Sequence, residues 1–255
     1  MRYEILGPLR VSDEHGVSFI TAGKVEILLA VLLVRAGEVV PTDALMTEIW
    51  GERTPRRAAA GLHVFVSQLR KFLSRPGRAG NPVVTRSPGY VLTLADDEFD
   101  AHEYLRYLEA GRAHAAQNRH EQVAECLSAA LALWRGPVLN GPCPGPILEG
   151  FVSWLTEARL DCTEMLIDAQ LALGRHREVI GRLYSLTAEH PLRESFYRQL
   201  MLALYRCDRQ ADALKVYQSA RRALNEELGL EPCRALQEVH RAVLQADDYQ
   251  LAMAV

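Results

Sequence analysis

Acidic side chains are missing from one long stretch of this 255-residue chain: none falls between Glu52 and Asp96. The same stretch holds Arg53, Arg56, Arg57, Arg70, Lys71, Arg75, Arg78 and Arg86. A one-sign block suits a polyanionic partner, because each cation that neutralises a phosphate also releases a condensed counterion. A solvated basic face without a partner is the bland alternative, and charge alone does not separate the two. The average conceals the block, since the formal net charge is −3. Residues 1–94 carry 12 Lys/Arg against 8 Asp/Glu, and the remainder carry 17 against 24.

Cysteine is sparse and scattered, at 126, 143, 162, 207 and 233, with no Cys-x-x-Cys pair. That spacing argues against a disulfide framework or a structural zinc and for reduced, packing thiols in a cytoplasm. Cys143, in the stiff loop Gly141-Pro142-Cys143-Pro144-Gly145-Pro146, is not expected to be reactive. Long apolar runs are absent too: Ile27 to Val34 is the longest, far too short to span a bilayer. The opening Met1-Arg2-Tyr3-Glu4 has no basic segment leading into an apolar core, so secretion is not expected. Nucleotide, nucleophile-elbow and zincin motifs are all missing. The eight histidines are dispersed, with His114 and His120 near an expected inter-helix turn. The expectation is therefore a protein that is not an enzyme, with no cofactor, no metal and no membrane partner.

What is present reads as two halves, a domain over 1–95 and another over 99–246, with 247–255 as a disordered tail. Tyr3 to Leu9 and Val17 to Ile20, around a turn at Asp13 to Gly16, predict a small antiparallel sheet. A helix is expected from Gly23 to about Arg35, with Val25, Leu28, Leu29, Leu32 and Leu33 at helical spacing. Val39-Val40-Pro41 reads as an extended connector, and Thr42 or Asp43 as the N-cap of a second helix ending at Trp50. Thr54 as N-cap and Pro55 at the first position predict a third helix, roughly Arg56 to Arg75. Its buried stripe is Leu62, Val66, Leu69 and Leu73, widened by Phe65 and Phe72. Its opposite face, Ala59, Ala60, His63, Val64, Ser67, Gln68 and Lys71, is small and uncharged at the front with cations before and after. Val83 to Thr85 and Tyr90 to Leu94 then predict a hairpin around Arg86-Ser87-Pro88-Gly89.

Strands, three helices and a hairpin form the order of a winged helix-turn-helix, an α+β domain. Its last helix enters the major groove while backbone contacts set the register. A cation on the hairpin can reach an adjacent minor groove. Double-stranded DNA is the favoured partner. The rival is a helical interaction scaffold whose basic domain binds RNA or an acidic protein.

From Phe99 the chain reads as all helix, with repeated turns. Leu173-Gly174-Arg175-His176 matches Cys207-Asp208-Arg209-Gln210 at an offset of 34, the period of tetratricopeptide helix pairs. Gln117-Asn118-Arg119-His120 is a looser third copy, and the last helix is expected to reach about Leu228. Such pairs bury their faces by stacking, so an α-solenoid is expected.

Several segments in order carry a closer likeness. They include Tyr3-Glu4-Ile5-Leu6-Gly7-Pro8-Leu9, Glu48-Ile49-Trp50-Gly51, Val66-Ser67-Gln68-Leu69-Arg70 and Thr85-Arg86-Ser87-Pro88-Gly89-Tyr90-Val91-Leu92. In the second half they include Leu131-Ala132-Leu133-Trp134-Arg135-Gly136-Pro137, Glu189-His190-Pro191-Leu192-Arg193-Glu194 and Arg209-Gln210-Ala211-Asp212-Ala213-Leu214. Together they resemble the Streptomyces antibiotic regulatory proteins, and the likeness runs to about Gln245. It implies an OmpR-type winged helix-turn-helix followed by an all-α, tetratricopeptide-like bacterial transcriptional activation domain. It further implies an activator of an antibiotic biosynthetic cluster, binding promoter direct repeats near the −35 region as head-to-tail copies. RNA polymerase with its sigma factor is the implied second partner, and the nucleoid the implied location. Carried onto this chain, base readout falls to His63, Val64, Ser67 and Gln68. Arg56, Arg57, Arg70, Lys71, Arg75 and Arg86 become phosphate or minor-groove contacts, and Gly51, Glu52, Arg53 and Thr54 the polymerase contact. Gln68, where many relatives have Arg, and Gly61, inside the recognition helix, depart from the pattern and bear on the base code.

Overall fold

The apolar run that is too short for a membrane becomes the centre of the first hydrophobic core. In the computed structural model, which describes residues 1–51, 53–74, 80–140 and 145–246, Leu28 to Leu33 are all buried on helix α1 (Gly23–Val34). Nearly all faces of α1 are covered, as expected of a helix apolar all round. Before it come strands β1 (Arg2–Glu4), β2 (Arg10–Asp13) and β3 (Gly16–Ser18). After it come β4 (Val40–Pro41), α2 (Thr42–Trp50), α3 (Ala58–Leu73), β5 (Val83–Arg86) and β6 (Gly89–Leu92). Next are β7 (Glu98–Phe99), α4 (Asp100–Ala115), α5 (His120–Ala132) and a 3-10 turn at Val138–Asn140. The remaining helices are α6 (Pro146–Ala172), α7 (His176–Glu189), α8 (Glu194–Tyr205), α9 (Gln210–Leu228) and α10 (Arg234–Gln245). The chain divides into two compact units. One is Met1–Tyr107 with Ala129–Arg159, and the other is Leu108–Ser128 with the described residues from Leu160 onward. The expected tail, 247–255, lies outside the described residues.

In the first unit the sheet order is β3-β2-β1-β7, antiparallel except that β7 joins β1 in parallel. The parallel member β7 goes beyond the small antiparallel sheet expected, because a two-residue strand carries no periodic signal. The strand expected over Tyr3 to Leu9 also stops at Glu4, for a definable reason. The Ile5 and Leu6 amides donate to the Asp100 carboxylate at 2.9–3.0 Å, while the Leu6 and Ile5 carbonyls accept from the Arg135 and Leu139 amides at 2.7 and 3.1 Å. Once those polar groups are satisfied, no ladder is needed. The second expected strand is likewise shorter, Gly16–Ser18 rather than Val17 to Ile20.

The connector at Val39-Val40-Pro41 is itself part of a second sheet, order β4-β6-β5. Pro41, not Thr42 or Asp43, is the N-cap of α2, because Thr42 Oγ1 donates to the Pro88 carbonyl at 2.9 Å. Glu48, fully buried on α2, accepts from the Ile147 and Leu148 amides at 2.6 and 3.3 Å and so caps α6 with a negative charge. Gly145 permits this approach, since a Cβ there would lie 2.4 Å from the Glu48 carboxyl carbon.

In the second unit the three similar turns share one geometry. Asn118, Gly174 and Asp208 adopt left-handed φ values of 53°, 76° and 60°. The amides of Arg119, Arg175 and Arg209 reach back to the carbonyls of His114, Gln170 and Leu204 at 2.9–3.1 Å. This is the six-residue closure of a Schellman cap, which favours Gly or Asn at that place. α7 packs on α8 and α8 on α9, around buried Phe196, Leu200, Met201 and Leu204. The helix expected to reach about Leu228 is α9. The structure adds α10, which lays Leu236, Val239, Ala242 and Val243 against α8 and α9.

Candidate nucleic-acid interface

α3 begins at Ala58, later than the expected Arg56, and Thr54 is not its cap. Arg57 occupies the N-cap position, while Thr54 Oγ1 donates to the Gly51 carbonyl at 3.2 Å. Arg56 and Arg57 therefore stand in the exposed turn just before the helix, with no acidic residue in its first turn. The expected inner stripe, Leu62, Val66, Leu69 and Leu73, is buried. The expected outer face, Ala59, Ala60, His63, Val64, Ser67, Gln68 and Lys71, is exposed throughout, and Val64 is 54% exposed although apolar. An exposed valine flanked by small polar side chains costs little to desolvate, which suits a face that must shed water against another surface.

Three side chains lock this helix to the hairpin. Arg70 donates from Nε to the Val83 carbonyl at 2.9 Å and from Nη2 to Thr85 Oγ1 at 2.8 Å. Its guanidinium carbon also lies 5.9 Å from the Tyr90 ring centroid. Asn81 bridges the Arg70 carbonyl and the Val83 amide at 2.8 and 3.1 Å. The Tyr90 hydroxyl and His63 Nδ1 are 2.8 Å apart, so a base-readout candidate is fixed by the strand behind it. Arg70, expected on phosphate, thus has two nitrogens engaged with the hairpin. Asn81, Thr85 and Tyr90 were not singled out from sequence; only Asn81, a turn residue before a β run, carried any signal.

The hairpin turns at Ser87-Pro88, with Arg86 exposed beside the turn and paired in register with Gly89. Among the described residues, no carboxylate lies within ion-pair reach of Arg53, Arg56, Arg57, Lys71 or Arg86. Arg75 lies outside the described residues. Of the expected polymerase contact, Gly51 has φ 59°, Arg53 and Thr54 are exposed, and Glu52 lies outside the described residues. Gly61 now has a local explanation. A Cβ there would sit 3.3 Å from Trp50, whose ring stacks on Phe65 at 5.6 Å and carries Lys24 Nζ 5.0 Å from its centroid. The glycine serves packing between α2 and α3.

Comparisons with known proteins accord with this geometry. Residues 21–92 match the family described as transcriptional regulatory protein, C terminal, and residues 99–244 match the bacterial transcriptional activator domain. The regulatory protein DnrI of Streptomyces peucetius is 34% identical over 254 residues, covering 97% of this chain and 93% of DnrI. The transcriptional regulator RedD of Streptomyces coelicolor is 36% identical over 246 residues, covering 95% of this chain and 70% of RedD. The transcriptional regulatory protein EmbR of Mycobacterium tuberculosis is 35% identical over 244 residues, 95% of this chain, which spans only 63% of the length of EmbR. A solved structure of that EmbR, in complex with a low affinity phosphopeptide, superposes with a TM-score of 0.91 at 33% identity, covering 99% of this chain and 67% of that one. No helix among the described residues is long and apolar enough to cross a membrane. With an OmpR-type winged helix, an activator domain and relatives that are transcriptional regulators, the chain belongs to the Streptomyces antibiotic regulatory protein family.

Proposed function

We propose that this transcriptional regulator activates an antibiotic, or other secondary-metabolite, gene cluster by seating α3 in the major groove of promoter direct repeats near the −35 region. Head-to-tail copies would occupy successive repeats and recruit RNA polymerase with its sigma factor through the Gly51–Thr54 loop. Residues 1–95 would be the DNA-binding domain and 99–246 the activation domain. The observation that carries the reading is the exposed, uncharged face from Ala59 to Gln68, bordered by Arg56, Arg57 and Lys71. A backbone-only binder gains nothing from a cation-free centre, whereas direct readout needs short side chains there and phosphate contacts at the edges. The N-terminus of α3, with its partial positive charge, adds to the attraction for phosphate. Gln68 suits bidentate contact with adenine, and Val64 suits a thymine methyl. Fluorescence anisotropy on a direct-repeat promoter duplex, a shuffled duplex and a structured RNA tests the reading. Tightest binding to the direct repeat supports it; preference for the RNA would favour the scaffold alternative.

Gln68→Ala is expected to lose about 1–3 kcal/mol at one base pair and leave the others unchanged. Equal weakening on the direct-repeat and shuffled duplexes would remove Gln68 from base readout. Lys71→Ala is expected to weaken both duplexes alike and to reduce the slope of log K against log salt by about 0.9. An unchanged slope would show that Lys71 touches no phosphate.

A further inference from the structure

The contact between Tyr90 and His63 decides which hydrogen-bonding role the exposed edge of the imidazole can play. A neutral imidazole has one nitrogen that donates and one that accepts, and the bond made by one fixes the role of the other. His63 Nδ1 lies 2.8 Å from the Tyr90 hydroxyl, with the two rings edge to face at 73°. Tyr90 is 4% exposed, and among the described residues its hydroxyl meets no other partner. If Nδ1 carried the ring proton, it would donate to the phenol oxygen and leave the buried O–H without an acceptor. The arrangement that satisfies both groups has the hydroxyl donating to Nδ1 and the ring proton on Nε2.

Nε2 is the tip of a ring that stands on the exposed face of α3. Three and four residues away on that face are Ala59, Ala60 and Ser67, short side chains that leave the tip open. His63 thus presents a donor and no acceptor. In the major groove guanine shows two adjacent acceptors, N7 and O6, and no donor. Adenine sets an amino group beside its N7, thymine a methyl beside its O4, and cytosine offers an amino donor. Resting on the reading that α3 lies in the major groove, we infer that His63 reads one guanine of the direct repeat, donating from Nε2 to N7. Tyr90 is the positioning residue that sets this preference, by holding the ring proton on the outer nitrogen.

Two measurements separate this assignment from the DNA reading itself. Nitrogen-15 NMR of the free chain at alkaline pH reports the tautomer, with Nε2 expected as the protonated nitrogen and Nδ1 as the bare one. Tyr90→Phe removes the hydroxyl and admits the second tautomer, so the two resonances should move toward each other. Fluorescence anisotropy then follows the direct-repeat promoter duplex with each guanine replaced in turn by 7-deazaguanine, which keeps its base pairing and O6 but has a C–H in place of N7. At one guanine per repeat the replacement is expected to weaken wild-type binding about threefold to tenfold, the loss of one hydrogen bond. That penalty should vanish in His63→Ala and shrink in Tyr90→Phe. Thermal unfolding checks that both variants fold; if Tyr90→Phe does not, His63→Ala and the wild-type spectrum decide. Equal binding of direct-repeat and shuffled duplexes by the wild-type chain would sink the DNA reading and this assignment with it. A retained preference with no sensitive guanine, a penalty that survives His63→Ala, or a free chain with the ring proton on Nδ1 would overturn this assignment alone.

Discussion

Gly89→Ala is expected to detach the hairpin and destabilise the first unit by roughly 4 kcal/mol or more, at the extreme end for a single methyl group. A Cβ on Gly89 would lie 1.8 Å from the Val40 carbonyl oxygen, 2.7 Å from its carbon and 2.9 Å from Pro41 Cα. All three atoms are backbone, so no side-chain rotation relieves the clash; β4 and β6 must separate. Their register pairs Val40 with Tyr90 and Pro41 with Gly89, and the Thr42 amide donates to the Pro88 carbonyl at 3.2 Å. Separation would expose Tyr90, Val91 and Leu92, all buried. It would also release the Tyr90 contact to His63 and the Arg70 grip on Val83 and Thr85. Stability and promoter affinity should therefore fall together. Gly23→Ala is the control, because a Cβ there meets nothing within 4 Å. Urea unfolding and anisotropy on the same preparations decide the matter. A Gly89→Ala protein with the wild-type midpoint would show that β4 does not constrain the hairpin.

How much of this was legible in the sequence depends on whether a neighbour along the chain or a distant one sets the structure. α1 and the inner stripe of α3 follow from local periodicity, and so does the outer face on which the DNA reading rests. The similar turns were visible because the left-handed position of a Schellman cap selects for residues that tolerate positive φ, here Asn118, Gly174 and Asp208. Caps and strand ends were misread where a remote group competes. Thr42 looks like an N-cap, yet its hydroxyl goes to Pro88, 46 residues away in sequence. Tyr3 to Leu9 looks like one strand, yet Asp100 intercepts its amides after Glu4. In α10, Leu236, Val239 and Val243 keep helical spacing against Gln237, Glu238, His240 and Arg241, the pattern of a helix packed by one face, so its existence was legible locally. At the candidate interface, residue types disclosed the face but not its support. That His63 is held by Tyr90, and that Arg70 faces the hairpin, depends on pairings 27 and 13 to 15 residues apart in sequence.

Asp100 supplies the second large effect. It is 1% exposed, and its carboxylate takes the Ile5 amide with both oxygens and the Leu6 amide with one. Asp100→Ala would leave two buried N–H groups without partners, at about 1–3 kcal/mol each. The expected loss is therefore several kcal/mol in denaturant unfolding of the first unit. Asp100→Asn retains one acceptor oxygen and should fall between. Burial holds the Asp100 carboxyl above the ordinary aspartate range, although the Ile5 and Leu6 amides and Arg135 pull it down. A carboxyl whose folded pKa is raised binds its proton more tightly in the native state, so its contribution to stability declines as pH climbs from the ordinary aspartate range through the raised value. The carboxamide of the Asp100→Asn variant does not titrate. The stability advantage of wild type over Asp100→Asn should consequently narrow with rising pH in that window. An advantage that widens instead would mean that the amides and Arg135 outweigh burial, and that Asp100 favours the folded state as an anion.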